Sequence, residues 1–316
     1  MTKSDNILEI VLITYNRSKS LEKTLLSIVD GFLINIKVTI LDNCSEDDTE
    51  SICRVFIDQH KNISYVKNKY NIGGCANAMR AYEIASAEYI WIICDDDICN
   101  FSSIKDVIYL INKYSPDLLI VGSAVAAGSI QSIVLPTGVL LNSTGGNTGA
   151  VVFNLTFLPS SIVKLDKLRG IGFEAGYKLI DTYFPQCFWI SCFINEEWNF
   201  IITKKILVQR PNSSSGFSNN FLHINGFLRA TSAINNTDKV NQICDTYFNE
   251  SLIYYLKTIA SSIVRLRAID KDIKVDLLVH IWHTPNIARK VLSIVLLPLV
   301  FLPKAIALSF FCNRKY

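Results

Sequence analysis

Three consecutive aspartates, Asp95, Asp96 and Asp97, follow the apolar run Tyr89-Ile-Trp-Ile-Ile-Cys94. Carboxylates crowded at the mouth of a buried segment are costly unless a cation offsets them. Oxygen donors of this kind suit Mg2+ or Mn2+, which bind through one or two carboxylates and leave room for phosphate. An ion held by Asp95 and Asp97 would neutralise a departing diphosphate. The same residues also suit a solvated turn that caps a helix near Ser102. A second acidic run, Asp42-Asn43-Cys44-Ser45-Glu46-Asp47-Asp48, reads as a helix cap or as a place where Asp42 and Asn43 meet a base edge or ribose. Asn71-Ile72-Gly73-Gly74 is either a turn or a stretch where the backbone comes close to a ligand. Thr14, Tyr15 and Asn16 form one further polar cluster, and Arg17 and Arg80 are candidate phosphate partners.

These clusters need a scaffold, and the pattern around them supplies one. Leu8–Thr14, Lys37–Asp42, Ile63–Lys67 and Tyr89–Cys94 are short, Ile/Val-rich runs of the kind that form buried parallel strands. Helical spacing falls between them, at Leu21, Leu25, Ile28 and Val29, at Ile52, Val55 and Phe56, and after Gly73-Gly74. A fourth helix carries Ile104, Val107, Ile108 and Ile111. Ser20, Asp48 and Ser102 or Ser103 are the expected N-caps. Strands and helices alternating in this way predict βαβ units in an open, doubly wound α/β sheet. Such sheets bind ligands beyond the carboxyl ends of their strands, where all four polar clusters fall. A Gly/Asn/Ser/Thr-rich loop is expected over the site from Pro136 to Gly149. Val151–Thr156 and Phe200–Ile206 read as strands. From Asn225 the chain is mostly helical, with Ile253, Leu256, Ile259 and Ile263 on one face.

In this order, Ile10-Val-Leu-Ile-Thr-Tyr-Asn-Arg17, Leu41-Asp-Asn-Cys-Ser-Glu-Asp-Asp-Thr49, Asn71-Ile-Gly-Gly74 and Trp91-Ile-Ile-Cys-Asp-Asp-Asp97 resemble family 2 glycosyltransferases of the GT-A fold. The resemblance implies a doubly wound mixed sheet and inverting transfer from a nucleotide-diphosphate sugar. It implies Thr14 and Asp42 near the nucleoside, with Asp95–Asp97 at ribose and metal. A fainter likeness runs through Phe157-Leu-Pro-Ser-Ser-Ile-Val-Lys164 and Gly172-Phe173-Glu174, the acceptor half of such enzymes. Their Glu-Asp pair is missing, and the interval from Phe173 lands on Asp181, the implied catalytic base, with Glu174 second. A base is required because a sugar hydroxyl is a weak nucleophile at neutral pH. The same stretch is similar to abequosyltransferase-like enzymes, which implies O-antigen or capsule synthesis at the cytoplasmic face of a bacterial inner membrane.

Half of the 316 residues are hydrophobic, so a sizeable core is available and disorder is excluded. Nine cysteines without a Cys-x-x-Cys pair argue against zinc ribbons and read as reduced core residues. Residues 1–9 show no signal peptide. Of the histidines, only His223 is weighed as a contact to metal or diphosphate, beside its reading as an ordinary helix residue. Charge is segregated: residues 251–316 carry ten Lys/Arg against three Asp/Glu, and the remainder carries 21 against 25. Within the basic tail, Val291–Phe311 is rich in Leu, Ile, Val and Phe, carries Lys304 as its one charge and lies between Arg289-Lys290 and Arg314-Lys315. Pro298 and Pro303 interrupt it, which favours an interfacial membrane helix, about 286–312, over a span; a buried helix is the alternative. Charges that flank an apolar run do not suit nucleic acid. The expected organisation is a GT-A domain over 1–225, with a donor half at 1–125 and an acceptor half at 126–225, then a helical membrane-associating region over 226–316. The partners are a nucleotide-diphosphate sugar, a saccharide acceptor that is lipid-linked, and a membrane surface. The rival readings are a nucleotidyltransferase and a membrane-associated nucleotide-sugar binding protein.

Overall fold

The computed structural model describes residues 7–31, 36–124, 141–142, 155, 157–209, 286–301, 303 and 306, with single positions between 226 and 284. Strands β1 (Leu8–Thr14), β2 (Lys37–Asp42), β3 (Ile63–Lys67) and β4 (Tyr89–Cys94) stand at the boundaries expected from sequence. They are parallel in the order β3-β2-β1-β4. Their inner residues alternate between two cores. Leu8, Ile10 and Leu12 of β1 and Tyr89, Trp91 and Ile93 of β4 face one side, while Val11, Ile90 and Ile92 face the other. Both faces are covered, which is why these strands read as apolar runs.

Helices α1 (Ser18–Asp30), α2 (Thr49–Gln59) and α4 (Ile104–Tyr114) supply Leu21, Leu25, Cys53, Phe56, Val107 and Ile111 to the first core. Helix α3 (Gly74–Ile84) lies on the second, with α5 (Leu165–Ile171), α6 (Glu174–Tyr177) and α7 (Cys187–Asn195). Trp189 and Trp198 stack there, their ring centroids 6.4 Å apart.

Beyond β4 the sheet becomes mixed. The short β5 (Ile98–Cys99) pairs antiparallel with β9 (Asn199–Gln209), which runs past the Ile206 limit expected for it. β6 (Leu118–Ala124) is parallel to β9, and β7 (Leu141–Asn142) is antiparallel to it. β8 (Ser161–Lys164) enters antiparallel between β4 and β6. Neither β6 nor β8 was expected as a strand. The Pro136–Gly149 loop lies outside the described residues except for β7. The Val151–Thr156 strand does so except for Leu155, which is helical and buried. His223 also falls outside them.

Helix starts agree with the expected caps only in part. α1 begins at Ser18, not after Ser20, and Asp47 accepts the Ser18 N–H at 2.9 Å. Asp48 holds the cap position of α2, yet Asp47 accepts the Thr49 N–H. Before α4 a 3-10 turn spans Phe101–Ser103, and Asn100 caps it through Ser102 N–H at 3.1 Å.

The last helix, α8 (Ile287–Val295), begins with Asn286 accepting the Arg289 N–H and runs into a 3-10 turn at Leu297–Phe301. Leu296 and Val300 join the second core, as do Ile259 and Ile263 from the basic region. Arg289, expected as an exposed flanking charge, is 3% exposed. Among the described residues no helix is long and apolar enough to cross a membrane.

Candidate functional site

At the carboxyl edge β1 and β4 lie side by side, and their chains depart in opposite directions along the sheet. This is the switch point where a doubly wound sheet opens a crevice. Thr14 closes β1 and Asp95 follows β4, and the Thr14 hydroxyl donates to Asp95 Oδ2 at 2.6 Å. Arg17 reaches over from the start of α1, donating to Asp95 Oδ1 at 3.1 Å and approaching Asp96 Oδ2 at 2.7 Å. Thr24, nearly two turns into α1, donates to the Asp95 carbonyl at 3.0 Å. Burial lifts the Asp95 carboxyl to about 6, against the opposing pull of Thr14 and Arg17.

The three aspartates therefore have separate tasks. Asp95 is 3% exposed and faces inward to Thr14 and Arg17. Asp97 accepts the Cys94 N–H at 3.2 Å and closes the turn, while the Asp96 side chain is 33% exposed. Ligand atoms of Cys94, Asp96 and Asp97 lie within 4.8 Å of one another. Burial, followed by the charges of Asp97, Asp96 and Asp95, holds the Cys94 thiol well above its usual range. Mg2+ and Mn2+ prefer oxygen ligands, so the donors of this group that suit them are the carboxylates of Asp96 and Asp97. Of the pair expected from sequence, Asp97 lies in this group, while Asp95 is turned toward Thr14 and Arg17.

Asp42 ends β2 with no exposure. Its Oδ1 accepts from Ser45 N at 2.9 Å and Ser45 Oγ at 2.6 Å, and its Oδ2 accepts from the Tyr65 hydroxyl at 2.6 Å. A carboxylate so engaged holds the Asn43–Asp47 turn. The turn is tied to β1 by Asn16, whose N–H donates to Ser45 Oγ and whose Oδ1 accepts the Glu46 N–H, both at 2.8 Å. Asn16 and Cys44 adopt left-handed backbone, with φ of 50° and 68°, a sparse conformation that tends to gather at functional edges. Tyr15, which precedes Asn16, is 41% exposed.

Asparagines fasten the third cluster. Asn43 donates to Asn71 Oδ1 at 2.8 Å and accepts from Asn68 and from the Ile72 N–H at 3.0 Å. Asn68 also donates to Asn77 of α3. Gly73 has φ of 85°, and a Cβ there would meet nothing within 4 Å, so glycine answers a backbone need and not crowding. Arg80 stands apart. It sits two turns into α3 on the seam with α6, its charge acts on the Tyr177 hydroxyl, and its buried Nε has no hydrogen bond.

Asp181 lies in a 3-10 turn at Ile180–Thr182, and its carboxylate is gripped by both Arg229 nitrogens at 2.8 Å. Burial first and the Asp181 charge second push the Cys75 thiol up to about 11. Cys75 follows Gly74 at the start of α3, so Asp181 stands beside the Gly73–Gly74 edge. Tyr183 next to it is left-handed, with φ of 65°. Glu174, by contrast, is a solvated residue at the start of α6, its side chain 82% exposed and paired with Lys178. Thr24, Tyr65, Asn68, Asn77 and Arg229 escaped the sequence reading. Only Asn77 carried a local signal, as a poor helix former on an apolar helix face.

Residues 9–162 match the family model described as Glycosyl transferase family 2. Relatives include an uncharacterized glycosyltransferase of Methanocaldococcus jannaschii, 28% identical over 67% of this chain and 73% of that protein. The GalNAc(5)-diNAcBac-PP-undecaprenol beta-1,3-glucosyltransferase of Campylobacter jejuni is 30% identical over 28% of this chain, which spans only 29% of that protein's length. Among solved structures, S. aureus TarS 1-349 in complex with UDP-GlcNAc superposes with a TM-score of 0.60 at 16% identity, covering 91% of this chain and 90% of that one. Mannosyltransferase PcManGT from Pyrobaculum calidifontis, in complex with GDP-Man and Mn2+, gives 0.57 at 13%, covering 92% and 86%. At such identities the likeness is one of fold.

Proposed function

The chain belongs to glycosyltransferase family 2 through residues 9–162, and from that premise we propose inverting transfer of a sugar from a nucleotide-diphosphate donor to a lipid-linked saccharide acceptor. The observation that carries the reading is the switch-point constellation, in which Thr14 and Arg17 grip Asp95 and Arg17 reaches on to Asp96. A diphosphate placed there meets a guanidinium that already stands half exposed at the crevice. Asp96 and Asp97 would hold Mg2+ or Mn2+, which when bound neutralises the leaving diphosphate. PcManGT carries such an ion with its nucleotide sugar, which supports the reading.

Asp181 is the proposed base. Its carboxylate takes the proton of the acceptor hydroxyl as that oxygen bonds to the anomeric carbon. The bond from that carbon to the diphosphate oxygen breaks on the opposite face, and the nucleotide diphosphate leaves. One displacement inverts the centre without an enzyme nucleophile. For Asp181 to act, Arg229 must yield one of its two bonds. The undecaprenol-linked acceptor in the name of the Campylobacter relative supports a lipid-linked acceptor here. We place the reaction in bacterial O-antigen or capsule synthesis, at the cytoplasmic face of the inner membrane.

A thermal-shift panel of nucleotide sugars, with and without Mn2+, tests the donor half of the proposal. A true donor raises the melting temperature by mass action, and the ion adds to its effect. Transfer of the labelled sugar to extracted lipids then tests the acceptor. If no nucleotide sugar shifts melting and none is turned over, the reading fails.

A further inference from the structure

Helix α8 has two unlike faces. Arg289, Ser293 and Leu296 are buried, and Val300 continues their line in the following turn. Leu292 and Leu297 pack beside them against the core that holds Trp189 and Ile263. On the opposite face Ile287, Val291, Ile294 and Val295 are 79%, 53%, 48% and 64% exposed. Their spacing of i, i+4, i+7 and i+8 sets them in one stripe along two turns. Single exposed aliphatics need no explanation, but a contiguous row marks a contact surface.

We propose that this stripe docks on an anionic lipid surface, with α8 lying along the bilayer and its four aliphatics among the acyl chains. Length excludes a span, since nine helical residues reach about 14 Å against a hydrocarbon core of roughly 30 Å. Charge selects the occupant. The stripe belongs to a stretch with ten Lys/Arg against three Asp/Glu, on a body with 21 against 25. Lys290, beside the stripe, is partly exposed. Anionic lipid attracts such a stretch and repels the body, which orients the molecule. A second copy would set one basic stretch against another, the arrangement that complementary interfaces avoid. The inference rests on this surface alone and not on the transfer chemistry.

Flotation of the full chain with phosphatidylcholine vesicles, plain or containing roughly one-third phosphatidylglycerol, tests it. The chain should float with the anionic vesicles, and less so as salt rises. Val291→Asp with Ile294→Asp should weaken binding by about tenfold or more. Both positions are exposed, so circular dichroism and donor-induced melting shifts should stay those of the parent. Val295→Trp supplies a second readout, because its fluorescence should shift to the blue on anionic vesicles alone. An intact chain that ignores anionic vesicles overturns the proposal, as does a double variant that floats like its parent. A concentration-dependent dimer abolished by the double variant, without flotation, would assign the stripe to a second copy instead. Unaltered donor binding in either case leaves the transferase reading untouched.

Discussion

Replacing Thr14 by valine removes one hydroxyl and keeps the shape of the side chain. That hydroxyl donates to Asp95 Oδ2 at 2.6 Å, and the two residues are 4% and 3% exposed. A hydrogen bond to a charged group contributes about 1.5–3 kcal/mol, and water cannot replace the donor at this depth. Thr14→Val should therefore cost about 2 kcal/mol, or roughly 3 °C in melting temperature for a chain of this size. Arg17 touches the same carboxylate, but its side chain is 52% exposed. Its ion pair is screened, and Arg17→Met should cost less than about 1 kcal/mol of stability. In donor binding the order should reverse, because Arg17 faces the crevice and Thr14 faces the protein. Urea denaturation at constant m separates the two stability costs, and donor-induced melting shifts separate the binding effects. In an Asp95→Asn background the charge is gone, and the cost of Thr14→Val should fall to about 1 kcal/mol, a coupling a double-mutant cycle can resolve. If Thr14→Val is silent while Arg17→Met unfolds the protein at lower urea, the reasoning fails, and Asp95 is held from the solvent side.

Three further outcomes follow from the site. Asp181→Asn should slow transfer by on the order of 10²–10⁴ with donor affinity unchanged, whereas Glu174→Gln, exposed as it is, should leave turnover intact and stability within about 0.5 kcal/mol; the reverse pattern would exchange their roles. Asp96→Asn combined with Asp97→Asn should abolish the Mn2+ contribution to donor-induced stabilisation, and retained Mn2+ dependence would move the ion elsewhere. A Cβ at Gly226 would stand 1.8 Å from the Thr182 carbonyl oxygen, so Gly226→Ala must displace the turn that carries Asp181 and should lower kcat about tenfold or more; an unchanged kcat would show that the turn does not set the geometry of the base.

The parts of the fold legible in the sequence were those whose cause is local. β1 to β4 were readable to the residue because each is a short run dominated by apolar side chains that the two cores cover. β8 was not, since four residues, Ser161–Lys164, become a strand only by lying antiparallel between β4 and β6. Likewise the start of α1 depends on Asp47, a residue 29 positions away. The site showed the same division. The clusters at the strand ends could be located, but the sequence could not tell which of three neighbouring aspartates turns inward. Asp95 does so because Thr14 and Thr24, on two other elements, provide its partners. Glu9 passed unnoticed for a similar reason. A lone acid in an apolar run looks like an exception, yet it is fully buried at the far end of β1, bonded to Thr39 and to the Ser86 N–H, both at 2.7 Å, with Lys37 at 3.2 Å.

Among the described residues the sheet separates two buried side-chain clusters. One contains Trp91, Phe101 and the inner faces of α1, α2 and α4; the other contains Trp189, Trp198 and the buried side of α8. Substitutions on opposite sides share no neighbours, so their effects on stability should add, whereas those on one side should interact. For anyone hardening this protein for heat or storage, the Trp91 side is the one to repack. Methylenes added there do not touch the turn that carries Asp181, nor the helix that presents the exposed stripe.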